Sequence, residues 1–425
     1  MRLFGLLYDL GLHLLALATL PKGVRQWKKY KKLLFHKLGG GFPRIEKQAR
    51  KLVWIHAVSL GETKAVIPLV KRLKKENPTL LILLSTTTQT GHEEGKKNLS
   101  CADFHLFLPF DVSYIIKPLV RRVSPDLVIL VETDFWYHFQ KTAKECGAQL
   151  ILINGKLSVR SFLRYKKLPF LSRALFHPFD HFCLQGEVYR ERFEKLGVPQ
   201  EKMSIMGNMK CEGVELLSDE EVLRWRESLA LTPRDQVLVL GSTHAPEEKI
   251  WMGALKRLWE EFPTLKVLLV PRHPERFAEV ASLLEEAGIR YNRWGEKRAF
   301  DQVSLLLVDA MGVLRNCYQI GDFAFVGGSF TEKVGGHNIM EPCFYGKAVL
   351  FGPHMQGQPD FLELVRSFSA GIQIQVEEIV PVVKKLMQEP HWKEGLGRNG
   401  RRLVGVSLGA LDKTYAKIQE AIVSK

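Results

Sequence analysis

From residue 52 onward, short apolar runs alternate with longer stretches of helical pattern. Val53-Trp54-Ile55-His56-Ala57-Val58 reads as a strand that ends in Ser59-Leu60-Gly61-Glu62 and a helix reaching about Lys75. Leu80 to Leu84 predicts a second strand, leading into Ser85-Thr86-Thr87-Thr88. Phe104 to Leu108, Leu127 to Val131, Leu150 to Ile153, His181 to Leu184 and Ser204 to Met206 keep the same rhythm. It breaks near Leu217 into a polar, acidic helix, Asp219 to Leu229, followed by Pro233. A second series then begins with Val237 to Leu240 and continues through Val267 to Val270, Leu305 to Val308, Phe323 to Val326 and Ala348 to Phe351. The chain after Val376 is helical in pattern. Strand–helix alternation without long hairpins predicts mostly parallel sheets covered by helices. The expected architecture is α/β, with two Rossmann-like domains, 52–216 and 217–425, facing across a cleft. Ligands of such sheets bind beyond the carboxyl ends of the strands.

The N-terminal stretch has a different pattern. Leu3 to Leu20 is leucine-rich and interrupted only by Asp9, His13, Thr19 and two glycines. Eighteen helical residues span about 27 Å, just short of a hydrocarbon core of ~30 Å. Asp9 and His13 are four apart and share one helix face, a polar notch that disfavours deep spanning. A cleaved signal peptide ending near Ala16-Leu17-Ala18 and a plain core helix are the competing readings. The positive charge follows the apolar stretch, which favours an uncleaved anchor over 1–21 with the body on the cytoplasmic side of the membrane.

Composition adds a directed charge. The 425 residues carry a formal net charge of +15. Eleven Lys/Arg and one acid, Glu46, lie between Lys22 and Lys51, so 22–51 reads as a basic linker. Between Glu145 and Asp180 there is no acid, while Lys156, Arg160, Arg164, Lys166, Lys167 and Arg173 add +6. Such concentration implies an anionic partner surface. No zinc-finger or aromatic-interleaved pattern supports nucleic acid, so a membrane surface is expected. Six cysteines without a C-x-x-C pair argue against a zinc site and fit a reducing compartment.

Candidate chemistry gathers at the strand ends. Glu62, on a glycine turn after the first strand, is placed to act as a general base, although helix N-termini also favour a glutamate for its charge alone. Glu132, in Glu132-Thr133-Asp134-Phe135-Trp136, follows the fourth strand and faces the same edge. Lys210 ends Gly207-Asn208-Met209-Lys210, just before the pattern breaks. In the second half, Gly241-Ser242-Thr243-His244 and Pro271-Arg272-His273-Pro274 follow strands, and Arg272 offers a guanidinium suited to phosphate. Asp309-Ala310-Met311-Gly312 ends another strand. Gly327-Gly328-Ser329 and Gly335-Gly336-His337-Asn338-Ile339-Met340-Glu341 form a glycine-rich loop before a helix. That order is expected to leave backbone N–H groups free for an anion. Glu341 could accept both ribose hydroxyls of a nucleotide. No Asp-x-Asp pair occurs, so a metal-bridged nucleoside diphosphate is not suggested.

His56-Ala57-Val58-Ser59-Leu60-Gly61-Glu62, Glu132 to Trp136, Gly207 to Lys210, Pro271 to Arg276 and Gly335 to Asn338 resemble, in order along the whole chain, the 3-deoxy-D-manno-octulosonic acid (Kdo) transferases of lipopolysaccharide synthesis. The resemblance implies a two-domain GT-B fold, with the N-terminal domain binding the acceptor and the C-terminal domain binding CMP-Kdo. It implies inverting, metal-independent transfer of Kdo to a lipid A precursor, lipid IVA, with no cofactor. Glu62 would be the catalytic base, and Glu132 and Lys210 would stabilise the transition state. CMP would touch Pro271, Arg272, Met311, Gly312, Val313, Asn338, Ile339, Met340 and Glu341. The chain departs from the family pattern at Asp134, Tyr137-His138, Val313 and Ile339-Met340, which puts acceptor preference in doubt. The rival readings are a GT-B enzyme using a UDP-sugar on a lipid-linked acceptor and a non-catalytic membrane-bound lipid-binding protein.

Overall fold

A computed structural model describes residues 4–14, 27–211, 216–295 and 299–423. It divides the chain into two compact units, Met1–Glu212 with Ser407–Lys425, and Gly213–Val406.

Unit 1 carries a seven-stranded sheet built from β1 (Leu52–His56), β2 (Leu81–Thr86), β3 (Phe104–Phe107), β4 (Leu127–Val131), β5 (Gln149–Gly155), β6 (His181–Leu184) and β7 (Met203–Ile205). Its order is β3-β2-β1-β4-β5-β6-β7 and every pairing is parallel. All five residues of β1 are buried. Side chains alternate between faces, so Leu52 and Trp54 pack in one core with Leu81, Leu83 and Phe139. Val53 and Ile55 pack in the other with Val66, Leu69 and Ile82. A strand covered on both faces has no polar side to show. That is why it reads as a continuous apolar run.

Unit 2 repeats the plan with β8 (Gln236–Thr243), β9 (Leu265–Pro271), β10 (Tyr291–Arg293), β11 (Leu305–Leu307), β12 (Phe323–Val326), β13 (Ala348–Phe351) and β14 (Gly371–Gln373). The order β10-β11-β9-β8-β12-β13-β14 differs in placing β11 between β9 and β10, and is again all parallel. In each sheet the chain crosses to the other side of its first strand, between β1 and β4 and between β8 and β12. Loops leaving such a pair diverge to opposite faces and open a crevice.

Two expectations change. The whole tail 217–425 was assigned to the second domain, but the helix Ala410–Val423 belongs to unit 1, where Tyr415, Ile418 and Ile422 join the core of Val66 and Leu69. The anchor expected over 1–21 finds no support. Among the described residues no helix is long and apolar enough to cross a membrane. Residues 4–14 form a helix whose Phe4 and Tyr8 pack against the unit 1 core. The Asp9 carboxylate accepts the Ser113 N–H at 3.0 Å and lies 2.9 Å from His138 Nε2. The polar notch is thus turned into the body, leaving Leu6, Leu7, Leu10 and Leu14 each more than half exposed. Residues 1–3 and 15–21 of the expected anchor, and 22–26 of the expected linker, lie outside the described residues.

Part of the linker's charge is structural. Lys37 Nζ donates to Leu108 O at 3.0 Å, and burial lowers its pKa to about 8. Lys47 pairs with Asp126 at 2.7 Å, and Lys51 donates to Ile422 O. Cys101, Cys146, Cys183, Cys317 and Cys343 are free thiols.

Candidate active site

In unit 1 the loops after β1, β4, β5 and β7 bring three carboxylates and two lysines together. Ser59 caps the helix Leu60–Glu76. Glu62, in its first turn, accepts the Val58 N–H at 2.8 Å through Oε2 and the Ser59 hydroxyl at 2.8 Å through Oε1. The charge-at-a-helix-start reading of Glu62 is therefore physically present, but it uses only part of the carboxylate's accepting capacity. Burial, then the neighbouring Glu132 carboxylate, push the Glu62 carboxyl above its ordinary range. A carboxylate made more basic in this way is better suited to take a proton near neutral pH.

Glu132 sits directly after β4 with φ +64°, a left-handed backbone that non-glycine residues hold only where the surroundings enforce it. Its Oε2 is 2.8 Å from Lys156 Nζ, and Oε1 pairs with Lys210. Burial works to raise the Glu132 carboxyl, but Lys210 and Lys156 together hold it below the usual carboxylate range. Lys210 is thus bound to Glu132, and its Nζ lies 3.8 Å from where a Cβ on Gly61 would stand. Asn154, also at positive φ (+49°), donates to Glu132 Oε1 at 3.4 Å and accepts the Met209 N–H at 3.0 Å. One amide therefore ties the β5 end to the segment that carries Lys210. Asp134 is pushed up to about 7 by burial, then by Glu62 and Glu132.

Two members escaped the sequence reading. Lys156 was grouped with the basic patch, yet it is mostly buried against Glu132. Asp134 was noted only as a departure. The available signal was position: Asn154-Gly155-Lys156 follows a strand at the same edge as Glu62 and Glu132.

In unit 2 the expected nucleotide residues lie on loops at the carboxyl ends of β9, β11 and β12. Pro271 ends β9, and the Arg272 N–H donates to Thr243 O at 3.1 Å, which leaves its guanidinium exposed. Arg276 is spent otherwise, gripping the buried Glu248 with contacts of 2.7 and 3.2 Å. Met311 and Gly312 are exposed, Gly312 at φ +85°, and Val313 caps the helix Leu314–Ile320. Asn338 Oδ1 accepts the Met340 N–H at 3.0 Å. Burial raises the Glu341 carboxyl, against the pull of Arg315 and Arg272, so Arg272 and Glu341 are electrostatic neighbours. Ile339 and Met340 have no exposed side chain, so among the expected contacts they could offer only backbone.

The glycine-rich loop also differs from expectation. Its N–H groups over 327–330 and 335–337 are not free. Those of Gly328, Ser329 and Phe330 donate to the Glu247 carboxylate at 2.7, 3.0 and 2.9 Å. The N–H groups of Gly336 and His337 bond to Gly328 O and Gly327 O. His337 stacks on His244 with their Nε2 atoms 2.7 Å apart. Burial, then His244, Arg272 and His273, lower the His337 pKa to about 4.

Two parallel seven-stranded α/β units, each with its polar residues at a strand-order reversal, define the GT-B class. Solved structures agree at the level of fold. A UDP-GlcNAc 2-epimerase from Neisseria meningitidis superposes with a TM-score of 0.54 at 14% identity, covering 88% of this chain and all of that one. A glycosyltransferase from Rickettsia africae does so with a TM-score of 0.52 at 14% identity, covering 88% and 99%. Sequence relatives are more specific. The family profile described as 3-Deoxy-D-manno-octulosonic-acid transferase (kdotransferase) matches residues 32–212. A 3-deoxy-D-manno-octulosonic acid transferase of Chlamydophila psittaci is 36% identical over 99% of this chain and 97% of its own length. One from Haemophilus influenzae is 32% identical over 85% of each. The chain belongs to the 3-deoxy-D-manno-octulosonic acid transferase family.

Proposed function

We propose that this chain transfers Kdo from CMP-Kdo to a lipid A precursor, lipid IVA, in lipopolysaccharide synthesis, with inversion and without a metal. The observation that carries the reading is the buried Glu62 carboxylate, raised above its ordinary range beside a Glu132 that two lysines keep ionised. A primary hydroxyl of the acceptor attacks the anomeric carbon of Kdo. The bond from that carbon to the phosphate oxygen breaks with its electron pair, releasing CMP as a phosphate monoester. The hydroxyl proton passes to Glu62. Glu132 and the ammonium groups it orients then stabilise an oxocarbenium-like sugar that carries its own carboxylate. On the donor side, Arg272 offsets the phosphate charge.

The chain is proposed to act at the cytoplasmic face of the inner membrane, with its N-terminal helix lying in the interface rather than spanning it. The exposed Leu6, Leu7, Leu10 and Leu14 support this, as do Val159, Leu163, Leu168 and Phe170, which alternate with the exposed Arg160, Arg164, Lys166, Lys167 and Arg173. Apolar side chains interleaved with cations suit an anionic leaflet, at about 1 kcal/mol per basic group near the surface.

The test is transfer itself. Incubation with CMP-Kdo and a tetra-acylated lipid A precursor should give products heavier by whole Kdo residues, and CMP but not UDP should inhibit. Transfer from a UDP-sugar, or no product from CMP-Kdo, overturns the reading. Reversing Arg160, Arg164, Lys166 and Lys167 to Glu should raise the acceptor KM, chiefly at low salt, while the KM for CMP-Kdo holds. If both constants move together, or neither does, the patch does not serve the acceptor.

A further inference from the structure

In sequence the glycine-rich loop of unit 2 looks like a cradle for an external anion. In the fold it already holds one, and that anion is part of the chain. Glu247 is the first residue of the helix Glu247–Glu261 and is fully buried. Oε2 accepts the N–H of Gly328 at 2.7 Å and of His244 at 3.0 Å, and Oε1 accepts those of Ser329 at 3.0 Å and Phe330 at 2.9 Å. Four donors match the accepting capacity of a carboxylate, so nothing in this charge is left over. The backbone around it is shaped to fit. A Cβ on Gly327 would stand 2.5 Å from Ser242 O and 2.7 Å from Glu247 Oε2, so no other residue fits there without displacing that contact. Ser242, facing it, is held at φ +56°.

What hangs from this carboxylate is the nucleotide side of the unit. His244 is bonded to it directly. Thr243, the residue before, accepts the Arg272 N–H and so sets where Arg272 leaves β9. Gly327 and Gly328 accept the N–H groups of His337 and Gly336, which sets the start of the segment from Asn338 to Glu341. The imidazoles of His244 and His337, one on each loop, then meet at 2.7 Å. We infer that Glu247 is a positioning residue for the donor. As an internal anion at the β8/β12 reversal, it locks the post-β8 and glycine-rich loops into one arrangement and thereby registers Arg272, His337 and Asn338–Glu341 against a nucleotide phosphate. This rests on the donor reading above. It assigns Glu247 no contact with the nucleotide.

Glu247→Gln in the full chain tests it, because the amide keeps the size but turns one acceptor into a donor facing other donors. Amide exchange over 327–331 should speed up by at least about tenfold while β9 and β13 stay protected. In the same variant CMP affinity should fall at least about tenfold, and the acceptor KM should not change. A folded variant whose loop amides exchange at the wild-type rate, or whose CMP affinity stays within about twofold of wild type, overturns the inference. If the variant does not fold, the wild type decides. Its Gly328, Ser329 and Phe330 amides lie outside any strand, yet should be protected like strand amides, and fast exchange there refutes the clamp. A wild type with these amides protected that binds no CMP would sink the donor reading and leave the clamp standing.

Discussion

Units 1 and 2 share a reversal of strand order beside their first strand and put a glutamate at the same point of it, at the start of the helix that follows that strand. The surroundings of the two carboxylates are opposite. Glu247 faces a glycine loop and receives four backbone N–H groups. Glu62 faces the loop after β4, which offers another carboxylate, Glu132, and takes its hydrogen bonds only from its own turn. A carboxylate saturated by fixed dipoles is structural, since protonating or moving it unmakes the loops around it. Burial raises both carboxyls, but the one beside a like charge has accepting capacity to spare and is fit to exchange protons. What the facing loop presents, not the residue type, decides the role.

The largest expected break in this comparison is Glu62→Gln. Turnover should fall by about 100-fold or more, the scale of general-base loss, while the fold and CMP binding persist. A variant keeping more than half of wild-type turnover in the product assay refutes the base assignment. A paired test in unit 2 comes next. Arg276→Ala strands the buried Glu248 carboxylate and should cost about 3 kcal/mol of stability in denaturant melts. Arg272→Ala should leave the melt nearly unchanged but weaken CMP by roughly 1.5–3 kcal/mol in calorimetry. Equal effects of the two on both readouts would erase the distinction drawn between these arginines.

The smallest effect is on the pH dependence. Glu62 has its folded pKa raised, so its basic form is lost as pH falls through a value above the ordinary carboxylate range. Asp134 is raised to about 7 by burial and by the Glu62 and Glu132 charges, so it is neutral where Glu62 takes its proton. Asp134→Asn copies that neutral form. The acid limb of kcat/KM should therefore stay within about 0.3 units of wild type. A limb that moves down by about a unit would show Asp134 ionised beside the base.

Much of the fold was legible because β1, β4, β12 and β13 are covered on both faces and spell unbroken apolar runs. β10 and β14 were not, since Tyr291-Asn292-Arg293 and Gly371-Ile372-Gln373 are three-residue edge strands with no such run. Glu62, Glu132 and Arg272 could be singled out by their place after strands. Their company could not, because Lys156 reaches Glu132 through the β4–β5 pairing, and Glu247 reaches Gly328 through that of β8 with the distant β12. The first glycines of the loop misled for a physical reason. Glycines that let backbone approach a phosphate look the same, as letters, as glycines that let it approach a carboxylate of its own chain.

The helix Ala410–Val423 has a consequence for how the protein is made. Ribosomes build the chain from its first residue, so all seven strands of unit 1 exist by Ile205, while the apolar face over Val66, Leu69 and Ile151 stays bare until Tyr415, Ile418 and Ile422 emerge. The whole of unit 2 must be synthesised in between. Throughout that interval the nascent N-terminal half shows water a patch of its finished interior, the kind of surface on which aggregation starts and chaperones bind.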